Sequence, residues 1–237
     1  PGAVLLFIAA LGLIACLSLP KLRPMDPSLK IRWNPFGLYV TAIRDMAKSH
    51  LLKVALAWAF FYLIGMMALL ILPDYKELLG ITASKASVLL GVLGLAIGLG
   101  SVSAGLISGK HIKPSLIPIG AIGMTTFFLL LGIVPPTFIS VAVLLLGAGV
   151  FAGFYIVPLQ SLLQHLSPDD ERGRFLGTAN AMSFVASTTG SLVFIFAKST
   201  LDLPSNRVFL IVGSLALIGI GLLLTAMRKA LRNPDAA

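Results

Sequence analysis

Long apolar runs, each about the length that crosses a bilayer as a helix, recur along the chain with short polar breaks between them. A hydrocarbon core about 30 Å thick needs roughly 20 residues of helix at about 1.5 Å of rise per residue. Counting runs of that length predicts seven spans, over residues 2–19, 54–72, 87–108, 114–134, 138–159, 175–197 and 208–227. The least marked boundary is Val134-Pro135-Pro136-Thr137. Two prolines cannot continue a helical hydrogen-bond ladder, so this segment is predicted to be a hairpin tip. The expected fold is all-α and polytopic.

The longest polar stretch follows Pro20 and carries Pro24, Pro27 and Pro35. It divides the chain into a leading span (1–20), a linker (21–53) and a group of six spans with a short tail (54–237). After Asn34-Pro35, the apolar residues Phe36, Tyr39, Val40, Ile43, Met46 and Ala47 recur at helical spacing, with Arg44, Asp45 and Lys48 on the other face. Such a helix either lies in the membrane interface or packs on its own protein, and the pattern serves both.

Composition narrows the class. The chain is 57% hydrophobic and 11% charged, whereas a soluble domain carries about 25% charged residues. A single cysteine, Cys16, excludes a disulfide framework and a multi-cysteine metal site, and three scattered histidines do not replace those ligands. No metal and no cofactor is expected. Leu13-Ile14-Ala15-Cys16 superficially resembles a lipoprotein cleavage box, but no basic residue precedes the run. With Pro1 in place of an initiator methionine, the chain reads better as beginning partway through a longer membrane protein.

The formal net charge of +9 sits between the spans, so it reports orientation and not nucleic-acid binding. One set of loops holds Lys21, Arg23, Lys30, Arg32, Arg44, Lys48, Lys53, Lys110, Lys113, Arg172, Arg174, Arg228, Lys229 and Arg232. The opposite set holds only Lys76, Lys85, Lys198 and Arg207. Cationic loops stay in the cytoplasm, which puts the amino end outside and the carboxyl end inside.

One span, a long basic linker and six spans with short loops resemble the second half of a major facilitator superfamily transporter. That resemblance implies a missing N-terminal six-helix bundle, two inverted three-helix repeats in the present one, and a substrate held between the bundles near the midplane. Gly105-Leu-Ile-Ser-Gly109-Lys-His-Ile-Lys113 stands where the family repeats its Gly-x-x-x-Asp-Arg-x-Gly-Arg loop. It keeps glycines and cations, here Lys110 and Lys113, but has Gly109 in place of the acid, which puts any gating salt bridge from that position in doubt. The segment from Gly153 through Pro158, Gln160, Gln164, Ser167-Pro168-Asp169-Asp-Glu171-Arg172-Gly-Arg174 to Asn180 is similar to the matching loop of the lysophospholipid transporter branch. Some members of that branch are fused to acyltransferase and acyl-carrier-protein synthetase domains, and the branch moves lysophospholipid across the inner membrane for reacylation. Taken without the resemblance, Ser167-Pro168-Asp169 begins a helical turn with an acidic first turn, and Asp169, Arg172 and Arg174 are loop charges.

Candidate chemistry is sparse. All nine acids lie outside the predicted spans: Asp26, Asp45, Asp74, Glu77, Asp169, Asp170, Glu171, Asp202 and Asp235. A charge at the bilayer centre costs at least about 2.5 kcal/mol and is kept for ion or proton traffic, so this half is not expected to couple protons. A proton-coupled drug or metabolite exporter remains the alternative if the missing half holds an acid. Lys198 lies at the outer end of the sixth span, where it can snorkel to water, and does not mark a retinal site. Gly147-Ala-Gly149-Val-Phe-Ala152 fits a nucleotide fingerprint only in letters, since no strand precedes it. No His-Glu-x-x-His and no intramembrane acid pair is present, so no enzyme is expected unless an acyltransferase is fused outside the chain. A receptor or scaffold is a third class, which a transport assay separates.

The third span carries Ser87, Gly91, Gly94, Gly98, Ser101 and Gly105 on one face, a pattern for close helix packing that would also let a helix slide. On the sixth, Asn180, Ser183, Ser187 and Ser191 form a polar stripe, which either bonds to a neighbouring helix or lines a water path. Trp58 and Tyr62 share a face of the second span, and Tyr155 precedes Gln160 and Gln164 on the fifth. These are either an interfacial belt or, as the resemblance implies for helices facing the central cavity, a wall with amides and hydroxyls for a head group and rings for a chain. The expected pathway residues are Trp58, Tyr62, Tyr155, Gln160, Asn180, Ser183 and Ser187; the expected partners are the bilayer and an amphipathic or lipid substrate.

Overall fold

The computed structural model describes residues 2–18 and 35–232, so most of the predicted linker and the extreme tail lie outside the described residues. The chain forms two units, 1–34 and 35–237. The first holds helix α1, Gly2–Leu17, apolar throughout and closed by Ser18, whose hydroxyl donates to the Ile14 carbonyl at 2.8 Å. Its 16 residues reach about 24 Å, short of a bilayer core about 30 Å thick.

The second unit holds α2 (Pro35–Met46), α3 (Leu51–Ile71), a 3-10 turn (Leu72–Asp74), α4 (Tyr75–Leu78), α5 (Ala83–Ser108), α6 (Leu116–Ile133), α7 (Phe138–His165), α8 (Arg172–Ser199) and α9 (Ser205–Arg232). Among the described residues six helical stretches are long and apolar enough to cross a membrane, those of α3 with α4, α5, α6, α7, α8 and α9. Six of the seven expected spans are found among the described residues, and the leading one is described as the 16-residue α1. The hairpin tip is where the prolines put it: α6 stops at Ile133 and α7 starts at Phe138 behind a capping box, with the Ser140 amide donating to Thr137 Oγ1 at 3.1 Å and the Thr137 amide to Ser140 Oγ at 2.9 Å. Pro158 sits inside α7, which runs on to His165.

Helix neighbours reveal an internal symmetry. α7 packs on α5 and α6, α3 packs on α8 and α9, α6 packs on α9, and α3 meets α7. Exchanging α3, α5, α6 with α7, α8, α9 maps this set of contacts onto itself, which is what two inverted three-helix repeats require. The closest approaches follow the same exchange. A Cβ on Gly153 of α7 would lie 2.3 Å from the Ser101 amide nitrogen of α5, and one on Gly190 of α8 would lie 2.5 Å from the Leu63 carbonyl oxygen of α3. Only glycine admits backbone at that distance.

The core divides along the helices. One end, bearing Lys53, Lys110 and Arg172, is called here the basic end; around it pack Leu51, Val54, Trp58, Tyr155, Leu159 and Phe175. Towards the far end lie Ile64, Tyr75, Leu89, Phe128, Leu145 and Phe209. Ala42 and Met46 of α2 are fully buried in the basic-end cluster, so the amphipathic helix does pack on its own protein.

The small-residue stripe of α5 is not the face packed on α7. Gly91, Gly94, Gly98 and Gly105 are exposed, with nothing within 4 Å of an added Cβ. The buried face runs instead through Leu89, Leu93, Ala96, Gly100 and Ala104, because α7 needs one glycine at the crossing and apolar bulk on either side of it.

Candidate functional site

An aromatic run crosses the basic half of the bundle. Trp58 and Tyr62 of α3 are one helical turn apart, with ring centroids at 5.2 Å; Tyr62 meets Phe61 edge-on at 5.7 Å, and Phe61 stacks on Tyr155 of α7 at 5.7 Å. Phe61 links three residues singled out by their sequence positions, and nothing in its own position distinguishes it. The roles within the run differ. Tyr155 is 4% exposed and its hydroxyl donates to the Ala57 carbonyl at 2.9 Å, joining α7 to α3. Trp58 is 6% exposed, yet its indole Nε1 is buried with no acceptor among the described residues. Such a donor carries a desolvation cost of about 1–3 kcal/mol until something accepts from it. Tyr62 reaches the surface at 36% exposure.

Helix α8 lies beside this run. Gly190 meets Leu63, and five residues back along each of these helices Trp58 comes level with Val185, between Ser183 and Ser187. Asn180 is exposed, while its backbone carbonyl accepts from Ser183 Oγ at 2.7 Å; the Ser187 carbonyl accepts from Ser191 Oγ at 3.0 Å. Two hydroxyls of the polar stripe, those of Ser183 and Ser191, are thus returned to their own helix, which leaves the exposed Asn180 amide and the half-buried Ser187 hydroxyl. Gln160 is exposed on α7 and makes no bond to this group among the described residues.

The basic end is tied by ions. Arg174, at the start of α8, donates to Asp45 of α2 at 2.7 Å and to Glu171 at 2.9 Å, and Lys48 reaches Asp45 at 2.7 Å. Arg172 pairs with Asp169. The expected acidic first turn is corrected: α8 begins at Arg172, and Asp169 and Glu171 before it serve the two arginines instead of the helix amides. Lys48 first, and then Arg174, hold the Asp45 carboxyl below its ordinary value. Its folded pKa is depressed, so the stabilisation it gives to α2 is present above the usual carboxylate pKa of about 3.9 and is lost as pH falls through the lower folded value.

Lys110 and Lys113 are exposed and join no ion pair among the described residues. Between them and α5 stands Gly109 at φ +59°, a conformation that suits glycine, and it ends the helix. At the far end Lys198 lies 3.2 Å from Asp74, and Ser205 bridges the two. Lys198 therefore has a carboxylate partner at the rim of the bundle, supplied by the turn after α3.

Neither the Asp45–Arg174 pair nor the Asp74–Lys198 pair was legible, since each joins residues more than a hundred positions apart, whereas Lys48, three residues after Asp45, was within reach. Glu171, three residues before Arg174, was within reach of the sequence pattern.

Replacing Tyr155 with phenylalanine should lower the stability of the solubilised protein by about 1 kcal/mol through the lost bond to Ala57, with substrate affinity unchanged. Loss of affinity at undiminished stability would instead return the Tyr155 hydroxyl to the transport pathway.

A sequence model described as Major Facilitator Superfamily matches residues 2–191. No curated protein and no protein of solved structure matches the chain.

Proposed function

The chain belongs to the major facilitator superfamily, a family of secondary membrane transporters, and on that premise we propose that it moves lysophospholipid, or a related amphipathic molecule, across the inner membrane by alternating access. The observation that carries this reading is the unpaired, buried indole N–H of Trp58 at one end of an aromatic run, level with the polar stripe of α8. A hydrogen-bond donor in a low-dielectric wall suits an acceptor such as a phosphate or glycerol oxygen, while Tyr62, Phe61 and the apolar helix flanks suit an acyl chain. Asn180 would add an amide to the same head group.

Transport of this kind needs a second six-helix bundle. The exposed glycine stripe of α5 is smooth, and the exposed face of α8 sets Phe184 between Gly177, Asn180 and Thr188, which suits a partner bundle that packs on the ring and rocks across the glycines. In this reading the basic end is cytoplasmic, and an acyltransferase or acyl-carrier-protein synthetase, fused or separate, consumes the imported substrate.

Labelled lysophospholipid should enter proteoliposomes containing the full-length protein with or without a proton gradient. Trp58→Phe, which keeps the ring and removes the donor, should weaken apparent affinity several-fold with the protein still folded. Gradient-driven movement of unrelated solutes, with no lysophospholipid uptake, would overturn the substrate assignment in favour of a proton-coupled exporter.

A further inference from the structure

We propose that α2 is a membrane-surface anchor, with one flank packed on the six-helix unit and the adjoining flank, Phe36, Val40 and Ile43, inserted into an anionic leaflet. The rotation of α2 is set twice over. Ala42 and Met46 are fully buried in the basic-end core, and Asp45 is held by Arg174 at 2.7 Å. At about 100° per residue, Ile43, Phe36 and Val40 fall in an arc of about 60° immediately beside the buried flank. Phe36 is 81% exposed and Val40 48%, so the apolar sector of α2 is wider than the bundle covers, and the Asp45 contact keeps the uncovered part from turning inward.

Position and charge identify what covers it. After residues 47–50 the chain enters α3, which crosses the membrane, so α2 is held where that span meets the interface. Next around the helix comes Arg44, exposed and in no ion pair among the described residues, and Lys53 is exposed one turn into α3. Thr41 and Asp45 occupy the flank facing away from the apolar arc, and Lys48, just past the end of α2, reaches Asp45 there at 2.7 Å. An apolar strip edged by a free cation, with polar residues opposite, is the pattern of a helix lying in the headgroup region, its rings among the upper acyl carbons and its cations on lipid phosphates.

The test uses full-length protein with Cys16 and any other native cysteine replaced by serine, in vesicles of phosphatidylglycerol and phosphatidylethanolamine. Spin labels are placed singly through Phe36→Cys, Val40→Cys and Lys48→Cys. Labels at 36 and 40 should collide with oxygen several-fold more often than with a water-soluble nickel chelate, and the label at 48 should show the reverse. Arg44→Gln should raise nickel access at 36. Nickel access at 36 and 40 equal to that at 48 would overturn the proposal, and so would shielding of both from either reagent, which means a protein cover such as the second bundle. If the labelled variants do not elute as monodisperse protein, Phe36→Trp in a Trp33→Phe background, read by quenching from chain-brominated lipid, decides the same question: quenching above that of the Trp33→Phe parent supports insertion, and its absence refutes it.

Discussion

Gly100→Ala should destabilise the bundle by at least about 3 kcal/mol, at or above the upper end of what overpacking usually costs. The added carbon would lie 2.1 Å from the Val150 carbonyl oxygen and 2.8 Å from the carbonyl carbon. The obstacle is backbone on both sides, so no rotamer change relieves it and α5 must move off α7. In lipid the loss is compounded, because the acyl chains are as apolar as the helices and close van der Waals contact is what drives helix association. Gly98→Ala on the same helix has nothing within 4 Å and should be neutral or stabilising by up to about 1 kcal/mol from helix propensity alone. Denaturant titration of the reconstituted protein gives both values, and equal behaviour of the two variants would mean that α5 and α7 do not cross in this register.

The next largest effect is expected from Phe209→Ala, at about 3–5 kcal/mol. Phe209 is fully buried, stacked on Phe128 at 5.8 Å and tilted against Tyr75 at 6.1 Å, so truncation opens a cavity among three rings of the far-end core. Phe184→Ala, at 75% exposure, should change stability by less than about 0.5 kcal/mol. Phe209 belongs to a different core cluster from Trp58 and Tyr155. Affinity for the proposed substrate per folded molecule should therefore be unchanged, which a binding assay on the surviving folded fraction would check. A fall in affinity matching the fall in stability would show that the two clusters do not act separately.

The candidate site was half legible. Trp58, Tyr62 and Tyr155 could be chosen because aromatic side chains within a few turns of a basic boundary stand out against aliphatic runs. Their separate duties could not be read: the Tyr155 hydroxyl is spent on the Ala57 carbonyl, 98 residues away in the chain, while the Trp58 N–H is left over. Helical periodicity says which residues share a face and not which face meets protein. In a chain whose lipid-facing and buried surfaces are both apolar, the usual contrast between inside and outside is gone, which is why the α5 stripe did not single out the flank that meets α7.

From sequence alone came the all-helical polytopic class, the hairpin at Pro135-Pro136 and the basic asymmetry of the loops. These follow from local rules, since a bilayer demands a length of apolar helix, proline stops a ladder and cations partition between loops. Only the tertiary structure decided that Gly100 and not Gly98 meets α7, that Arg174 holds the linker helix through Asp45, and that Lys198 pairs with Asp74. Each depends on the rotation and crossing of helices far apart in the chain, which distant backbone contacts set and no local pattern encodes.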